Sequence, residues 1–214
     1  MNETRKTLLR DVEAYYTAKV VAHGPTARGA DWNCEESQHL RFEQLLRVID
    51  NERDPFSMND LGCGYGALAA YLNARGNTFH YRGFDLSPAM IQLAREQLGH
   101  FHNCRFFHPP EALVPAHYTL ASGIFNVKLA TEPEQWCAYV LDTIDQLDAL
   151  STRGFAFNVL TTHADPNRMR PDLYYADPRF LFDYCQRRYS PWVAVLHDYG
   201  LYEFTVVVRK DGGR

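Results

Sequence analysis

The fold of this chain is decided by the stretch Asp60-Leu61-Gly62-Cys63-Gly64-Tyr65-Gly66. Apolar residues precede it at 56–58 and follow it at 67–72, which predicts the order strand, glycine-rich turn, helix. Glycine lets the backbone turn tightly and approach a ligand with no Cβ atom in between. Because a helix with free N–H groups and a positive end follows the turn, the segment suits an anionic group.

A second acidic residue, Asp85, ends the next apolar run, residues 81–84. It lies 23 residues after Gly62, near the distance of about 20 residues at which nucleotide-binding folds place a carboxylate against ribose hydroxyls. Two strand ends, two acids and a glycine turn together predict a nucleoside site. The glycines have the spacing G-x-G-x-G, whereas the dinucleotide fingerprint is G-x-G-x-x-G.

The two segments together resemble a known family. The stretch DLGCGYG at 60–66, followed by Phe84-Asp85-Leu86-Ser87-Pro88-Ala89-Met90, resembles the class I S-adenosylmethionine-dependent methyltransferases. The resemblance covers roughly residues 54–209 in organisation, and its motifs are dense only in 58–90. It implies S-adenosylmethionine as the cofactor and S-adenosylhomocysteine as the product. The alternative is a glycine-rich structural turn followed by a helix cap.

Strand and helix patterns alternate along the chain. They predict an α/β fold, a Rossmann-like seven-stranded, mostly parallel sheet with helices on both faces, extra N-terminal helices and an antiparallel C-terminal strand pair. The predicted strands lie at or near residues 56–58, 81–84, 104–107, 118–125, 155–160, 192–197 and 203–209. We expect residues 1–53 to form a helical lid or acceptor segment, and residues 54–214 to form the cofactor-binding domain as one compact unit.

Composition restricts the class of protein. A hydrophobic fraction of 46% predicts a globular core, and a net charge of −4 without a Lys/Arg block gives no sign of a nucleic-acid surface. No apolar run approaches the roughly 18 residues of a membrane span, and the N-terminus has no signal-peptide core. The five cysteines are scattered without C-x-x-C pairs, which favours reduced thiols in the cytoplasm and no metal site.

The resemblance also implies a set of cofactor-binding residues. These are Asp60, Gly62, Gly64, Gly66, Asp85, Leu86 and Met90. Asp85 would accept hydrogen bonds from both ribose hydroxyls, although it is also compatible with an acid that merely favours a helix start. Met90 is almost as well explained by core packing as by ligand contact. The contact to the adenine could come from Glu111 or from a backbone group, and the sequence does not decide between them.

Three further residues are candidates for the cofactor site. Asn126 follows the predicted fourth strand, where it is equally compatible with a turn. Arg41 has the bidentate fork that suits a carboxylate, and the alternative is a solvated helix arginine. Trp32 stands in a polar loop, where it acts either as a lid over the cofactor or as a surface aromatic.

Methyl transfer demands no universal catalytic residue, so candidates are chosen by position. His163 follows the predicted fifth strand, and Tyr174 lies in the long segment beyond it. The predicted function is methyl transfer to a small-molecule or sugar-like acceptor. The alternatives are an NAD- or nucleotide-dependent oxidoreductase, against which the early third glycine argues, and a non-catalytic protein that binds S-adenosylmethionine.

Overall fold

A computed structural model describes residues 3–49, 54–108 and 113–210. The helices are α1 (Glu3–His23), α2 (Glu35–Leu46), α3 (Ala67–Ala74), α4 (Pro88–Leu98), α5 (Pro133–Ala149) and α6 (Pro178–Arg188), with 3-10 turns at Arg28–Ala30 and Pro166–Arg168. The strands are β1 (Phe56–Leu61), β2 (Phe79–Phe84), β3 (Cys104–Phe107), β4 (Ala116–Ala121), β5 (Ser151–Thr161), β6 (Tyr175–Ala176), β7 (Trp192–Leu196) and β8 (Glu203–Arg209).

The strands form one sheet in the order β3-β2-β1-β4-β5-β8-β7, and the short β6 pairs with β5. Strands β1 to β5 are mutually parallel, whereas β8 runs antiparallel to both β5 and β7. The predicted Rossmann-like sheet with an antiparallel C-terminal pair is confirmed, and β6 is the strand that the sequence did not predict. Leu61 pairs with both Phe84 and Ala121, so β1, β2 and β4 end at the same level of the sheet.

Apolar side chains cover both faces of the sheet. One core cluster joins α2, α3 and α4 to the strands, with Leu45, Leu72 and Met58 fully buried. The other joins α1, α5 and α6 to the opposite face, and Trp136 at its centre donates from Nε1 to the Phe125 carbonyl at 2.8 Å. Because helices cover both faces of the sheet, a ligand can reach the strands only at their ends, and in such folds it binds at the carboxyl ends.

The N-terminal helices belong to this packing. Leu8 and Val12 of α1 lie in one core cluster, and Phe42 of α2 lies in the other. Thr17 of α1 also hydrogen-bonds Ser87, the residue that caps α4, at 2.7 Å between the hydroxyl oxygens. The segment before β1 thus reaches the carboxyl edge of the sheet. In the part of the chain that the structure describes, no helix is long and apolar enough to cross a membrane.

Candidate active site

A cavity of about 630 Å³ opens at the carboxyl ends of β1, β2 and β4. Its floor is the glycine turn, in which Gly62, Gly64 and Gly66 have φ angles of +79°, +54° and +87°. The N–H groups of Gly62 and Cys63 both donate to the Phe84 carbonyl, at 2.7 and 2.9 Å, which ties the turn to the end of β2. Other parts of the wall come from α1, α2, α5 and the segment around Trp32.

Asp85 lies on the cavity wall and holds two elements in place. Its Oδ2 accepts from the Gly64 N–H at 2.8 Å and its Oδ1 from the Ser87 N–H at 2.8 Å. Burial raises the pKa of the Asp85 carboxyl, and the two backbone donors oppose this shift. A carboxylate oxygen has two lone pairs, so each oxygen retains capacity for a hydroxyl of a ligand.

Asp60, at the end of β1, presents an unusual carboxylate to the same cavity. Its Oδ2 accepts from the Tyr81 hydroxyl at 2.5 Å, whereas Oδ1 is buried and has no hydrogen-bond partner among the described residues. Burial raises the pKa of Asp60 to about 7. A buried acceptor without a partner is costly, so this oxygen fits a ligand that brings a donor, above all a cationic one.

Trp32 and Gly123 form one wall of the cavity, beyond the end of β4. Gly123 has φ +76°, and a Cβ atom at this position would lie only 2.4 Å from Trp32 Cη2, so the indole edge rests directly on the glycine backbone. The neighbouring Ser122 hydroxyl oxygen is buried without a partner in the described part of the chain. The Arg41 guanidinium stacks on the Trp32 ring, 4.0 Å from its centroid.

Arg41 itself is engaged within the chain. Its Nε and Nη2 atoms each lie 2.9 Å from Glu203 Oε2, and Nη1 donates to the Ser37 carbonyl at 2.7 Å. The side chain is buried and does not line the cavity. The carboxylate that this arginine binds in the structure is therefore that of Glu203.

Four other predicted residues lie outside the cavity lining: Gly66, Asn126, His163 and Tyr174. Asn126 joins two loops, since its Oδ1 accepts from the Leu160 N–H at 3.3 Å and its carbonyl from the Tyr174 N–H at 2.8 Å. The Tyr174 side chain is buried in the core beside Cys137, and burial raises the pKa of its phenol. His163 is exposed, with its ring 6.0 Å from that of His197.

The structure brings seven of the predicted residues together around the cavity, and that they bind the cofactor stays a prediction: Trp32, Asp60, Gly62, Gly64, Asp85, Leu86 and Met90. It adds wall residues that the sequence reasoning missed, among them Glu13 and Tyr16 of α1, Tyr139 of α5 and Gln38 of α2. No motif marks these positions, because each is one polar or aromatic residue within a helical pattern. Glu111, the candidate for the adenine, lies outside the described residues.

A Rossmann-like sheet with a cavity at the carboxyl ends of β1, β2 and β4, lined by a glycine turn and two acids, is the arrangement typical of α/β nucleotide-binding proteins. The family model of the methyltransferase domain matches residues 59–137. Rv1506c of Mycobacterium tuberculosis strain H37Rv, named as a candidate methyltransferase, is 53% identical over 165 residues, which are 77% of this chain and 99% of that protein. The chain therefore belongs to the class I S-adenosylmethionine-dependent methyltransferase family.

Solved structures agree in fold. Magnesium protoporphyrin IX methyltransferase from Synechocystis PCC 6803 with bound S-adenosylmethionine superposes with a TM-score of 0.64 at 12% identity, over 95% of this chain and 97% of that one. The complex of DhpI with S-adenosylhomocysteine gives a TM-score of 0.62 at 13% identity, over 96% and 98%. At these identities the likeness concerns the fold.

Proposed function

We propose that the chain transfers a methyl group from S-adenosylmethionine to a small-molecule or sugar-like acceptor in the cytoplasm. The observation that supports this proposal is the continuity of one cavity, which extends from Asp85 and the glycine turn to the Trp32–Gly123 wall. Its volume of about 630 Å³ falls within the roughly 300–1,000 Å³ of pockets for small ligands. The five free thiols favour a reducing compartment.

The part of the cavity around Asp85 and the glycine turn, here called the nucleoside end, fits the cofactor. In our proposal Asp85 accepts the two ribose hydroxyls, Asp60 Oδ1 accepts from the ammonium group, and Gly64 lets the ligand approach the backbone. Leu86 and Met90, which also line the cavity, flank the nucleoside. Each assignment meets an observed feature: free lone pairs at Asp85, an unpartnered oxygen at Asp60 and open space beside Gly64.

The chain's task at the other end is to orient the acceptor and exclude water. When bound, the cofactor supplies a methyl group on a sulfonium centre, which is already an activated leaving group. In-line geometry between the nucleophile and that carbon then accounts for much of the rate. Trp32 excludes water from the cavity, and Ser122 Oγ and Gln38 offer hydrogen bonds to an acceptor. His163 and Tyr174 stay out of this proposal, because neither lines the cavity.

Binding of the sulfur nucleosides tests the cofactor assignment directly. We expect the purified chain to bind S-adenosylmethionine and S-adenosylhomocysteine in calorimetry and to show no heat of binding with NAD, since the turn has the G-x-G-x-G spacing. Binding of NAD alone would contradict the proposal. The acceptor is then sought with methyl-labelled cofactor, in parallel incubations with hydroxylated small molecules, sugars, RNA and protein, and label in the macromolecular fractions only would overturn the acceptor class.

Because the pKa of Asp60 is raised, we predict that cofactor binding depends on pH. With a pKa of about 7, the Asp60 carboxyl group becomes increasingly protonated in the unliganded protein as the pH falls below about 7, and this proton must leave before the carboxylate can pair with an ammonium group. The affinity for S-adenosylhomocysteine should therefore fall about tenfold for each pH unit below 7 and level off above it. Calorimetry between pH 5.5 and 7.5 measures this.

Two controls identify the titrating group. The Asp60→Asn variant should bind more weakly at pH 7.5 and show no such slope, because the amide does not titrate. Adenosine, which lacks the ammonium group but is proposed to contact the same Asp85, should show a smaller pH dependence than S-adenosylhomocysteine, and any slope common to both ligands is assigned to Asp85. An unchanged slope in Asp60→Asn would assign the proton to another group.

A further inference from the structure

A closed ring of contacts lies behind the Trp32–Gly123 wall. It begins with the ion pair between Arg41 of α2 and Glu203 of β8, which are 162 residues apart in sequence. Both side chains are buried, with Glu203 at 0% and Arg41 at 7% exposure. The guanidinium contacts Glu203 Oε2 through two nitrogens, and its face lies against the Trp32 ring.

The second carboxylate oxygen of Glu203 continues the ring. Its Oε1 accepts from Asn158 Nδ2 at 3.0 Å, and the Asn158 Oδ1 accepts from the Gly123 N–H at 2.7 Å. Asn158 is completely buried in β5. Gly123 touches the edge of Trp32, so the ring returns to the residue on which Arg41 stacks. The Trp32 indole is therefore contacted from two directions, on its ring face by Arg41 and at its edge by Gly123.

The electrostatics indicate what this ring does. A buried ion pair adds little net stability, because desolvation of both charges offsets their attraction. Glu203 Oε1 also accepts a hydrogen bond from the Tyr199 hydroxyl at 3.4 Å, so both oxygens of the carboxylate have donors within the protein. Among the ring residues only Trp32 and Gly123 line the cavity. The buried charges therefore reach the cavity only through their contacts with Trp32 and Gly123.

We propose that Arg41, Glu203 and Asn158 are positioning residues that hold Trp32 and the Gly123 backbone at the methyl-transfer end of the cavity. They act through these two residues and contact neither cofactor nor acceptor. The proposal rests on the proposed function for the location of methyl transfer. It gives Arg41 a role different from the predicted contact with the cofactor carboxylate.

The position of Trp32 can be observed without any ligand. Labelling with 5-fluorotryptophan gives one ¹⁹F resonance each for Trp32, Trp136 and Trp192, and Trp32→Phe assigns the first. In Arg41→Met/Glu203→Leu, which removes both charges together, we expect the Trp32 resonance to broaden or to move toward that of free 5-fluorotryptophan. The Trp136 resonance should stay unchanged, because that indole is held by Phe125. The exposed pair Arg188–Asp145, changed to Met and Asn, is the matched control.

Ligand binding separates positioning from direct contact. We expect Glu203→Gln, which preserves side-chain size, to weaken S-adenosylhomocysteine binding about tenfold and adenosine binding less than twofold. If Arg41 instead held the ligand's carboxylate, Arg41→Met would lose affinity while Glu203→Gln retained it. That result would overturn the proposal, as would an unchanged Trp32 resonance in the folded double variant.

Further outcomes remain informative. Should the double variant fail to fold, the resonance of Trp32 in Glu203→Gln replaces it, with the same expectation of broadening or displacement. A wild-type chain that binds neither sulfur nucleoside would refute the proposed function, whereas the ligand-free resonance experiment would still decide whether the ring positions Trp32.

Discussion

Replacement of Gly64 by valine is expected to reduce S-adenosylhomocysteine affinity more than 100-fold and to leave a folded protein. Gly64 has φ +54°, a region that β-branched residues avoid. Apart from the chain neighbours of Gly64, the nearest atom of the described residues to a Cβ atom there is Met90 Sδ, at 3.9 Å, so the added side chain has room beside the cavity. The valine methyl groups would then occupy space proposed for the ligand. Calorimetry with the nucleoside, together with thermal unfolding, measures both effects.

The matched control is Gly76→Val. Gly76 follows α3 with φ +72°, and apart from its chain neighbours no described residue lies within 4 Å of an added Cβ atom, so the substitution introduces similar backbone strain in open space. Left-handed conformation costs an L-residue roughly 1–2 kcal/mol, and a similar loss of stability is expected in both variants. Only Gly64→Val should lose binding. Normal affinity in a folded Gly64→Val protein would place the ligand away from this turn.

The sequence predicted the fold well because local periodicity reflects local packing. All seven predicted strands exist, but the fourth was predicted to extend to Phe125 and ends at Ala121. Phe125 is fully buried in a loop, where its carbonyl receives the Trp136 indole. An apolar pattern therefore indicates burial and leaves the backbone conformation open. The missed β6 has two residues, too few for any period to be visible.

The predicted site residues fall into two groups, according to how far apart in sequence they lie from the residues they contact. Asp60, at the end of β1, and Gly64 and Asp85, on the turns that follow β1 and β2, belong to neighbouring parallel strands, and their motif brings them to the same cavity. The role of Arg41 could not be predicted without its partner Glu203, which lies 162 residues later on the antiparallel strand β8. Tyr174 follows β5 as expected, yet its N–H bonds Asn126 and its side chain turns into the core. A single sequence has no signal for such long-range pairings.

The control for Asp85 is another acid at a helix start. Asp177 caps α6 by accepting from the Arg179 N–H at 2.8 Å, and it lies outside the cavity lining. Asp177→Ala should cost about 1 kcal/mol of stability through the lost cap and leave nucleoside affinity unchanged. If Asp85 were only an acid at a helix start, Asp85→Ala would behave in the same way.

Asp85→Ala should instead lower the affinities for S-adenosylhomocysteine and for adenosine by a similar factor, roughly 100-fold or more. The proposed carboxylate bonds go to two ribose hydroxyls, each hydrogen bond to a charged group contributes about 1.5–3 kcal/mol, and 1.4 kcal/mol corresponds to a factor of ten in affinity. The decisive ligand is 2′,3′-dideoxyadenosine, which lacks the 2′- and 3′-hydroxyls proposed to bind Asp85 and keeps the 5′-hydroxyl. Its affinity, measured by competition, should be low for the wild type and nearly the same for Asp85→Ala, because the carboxylate and hydroxyls contribute only as a pair. An equal loss for adenosine and dideoxyadenosine would mean that Asp85 acts by holding Gly64 and Ser87 in place, and not by binding the ribose.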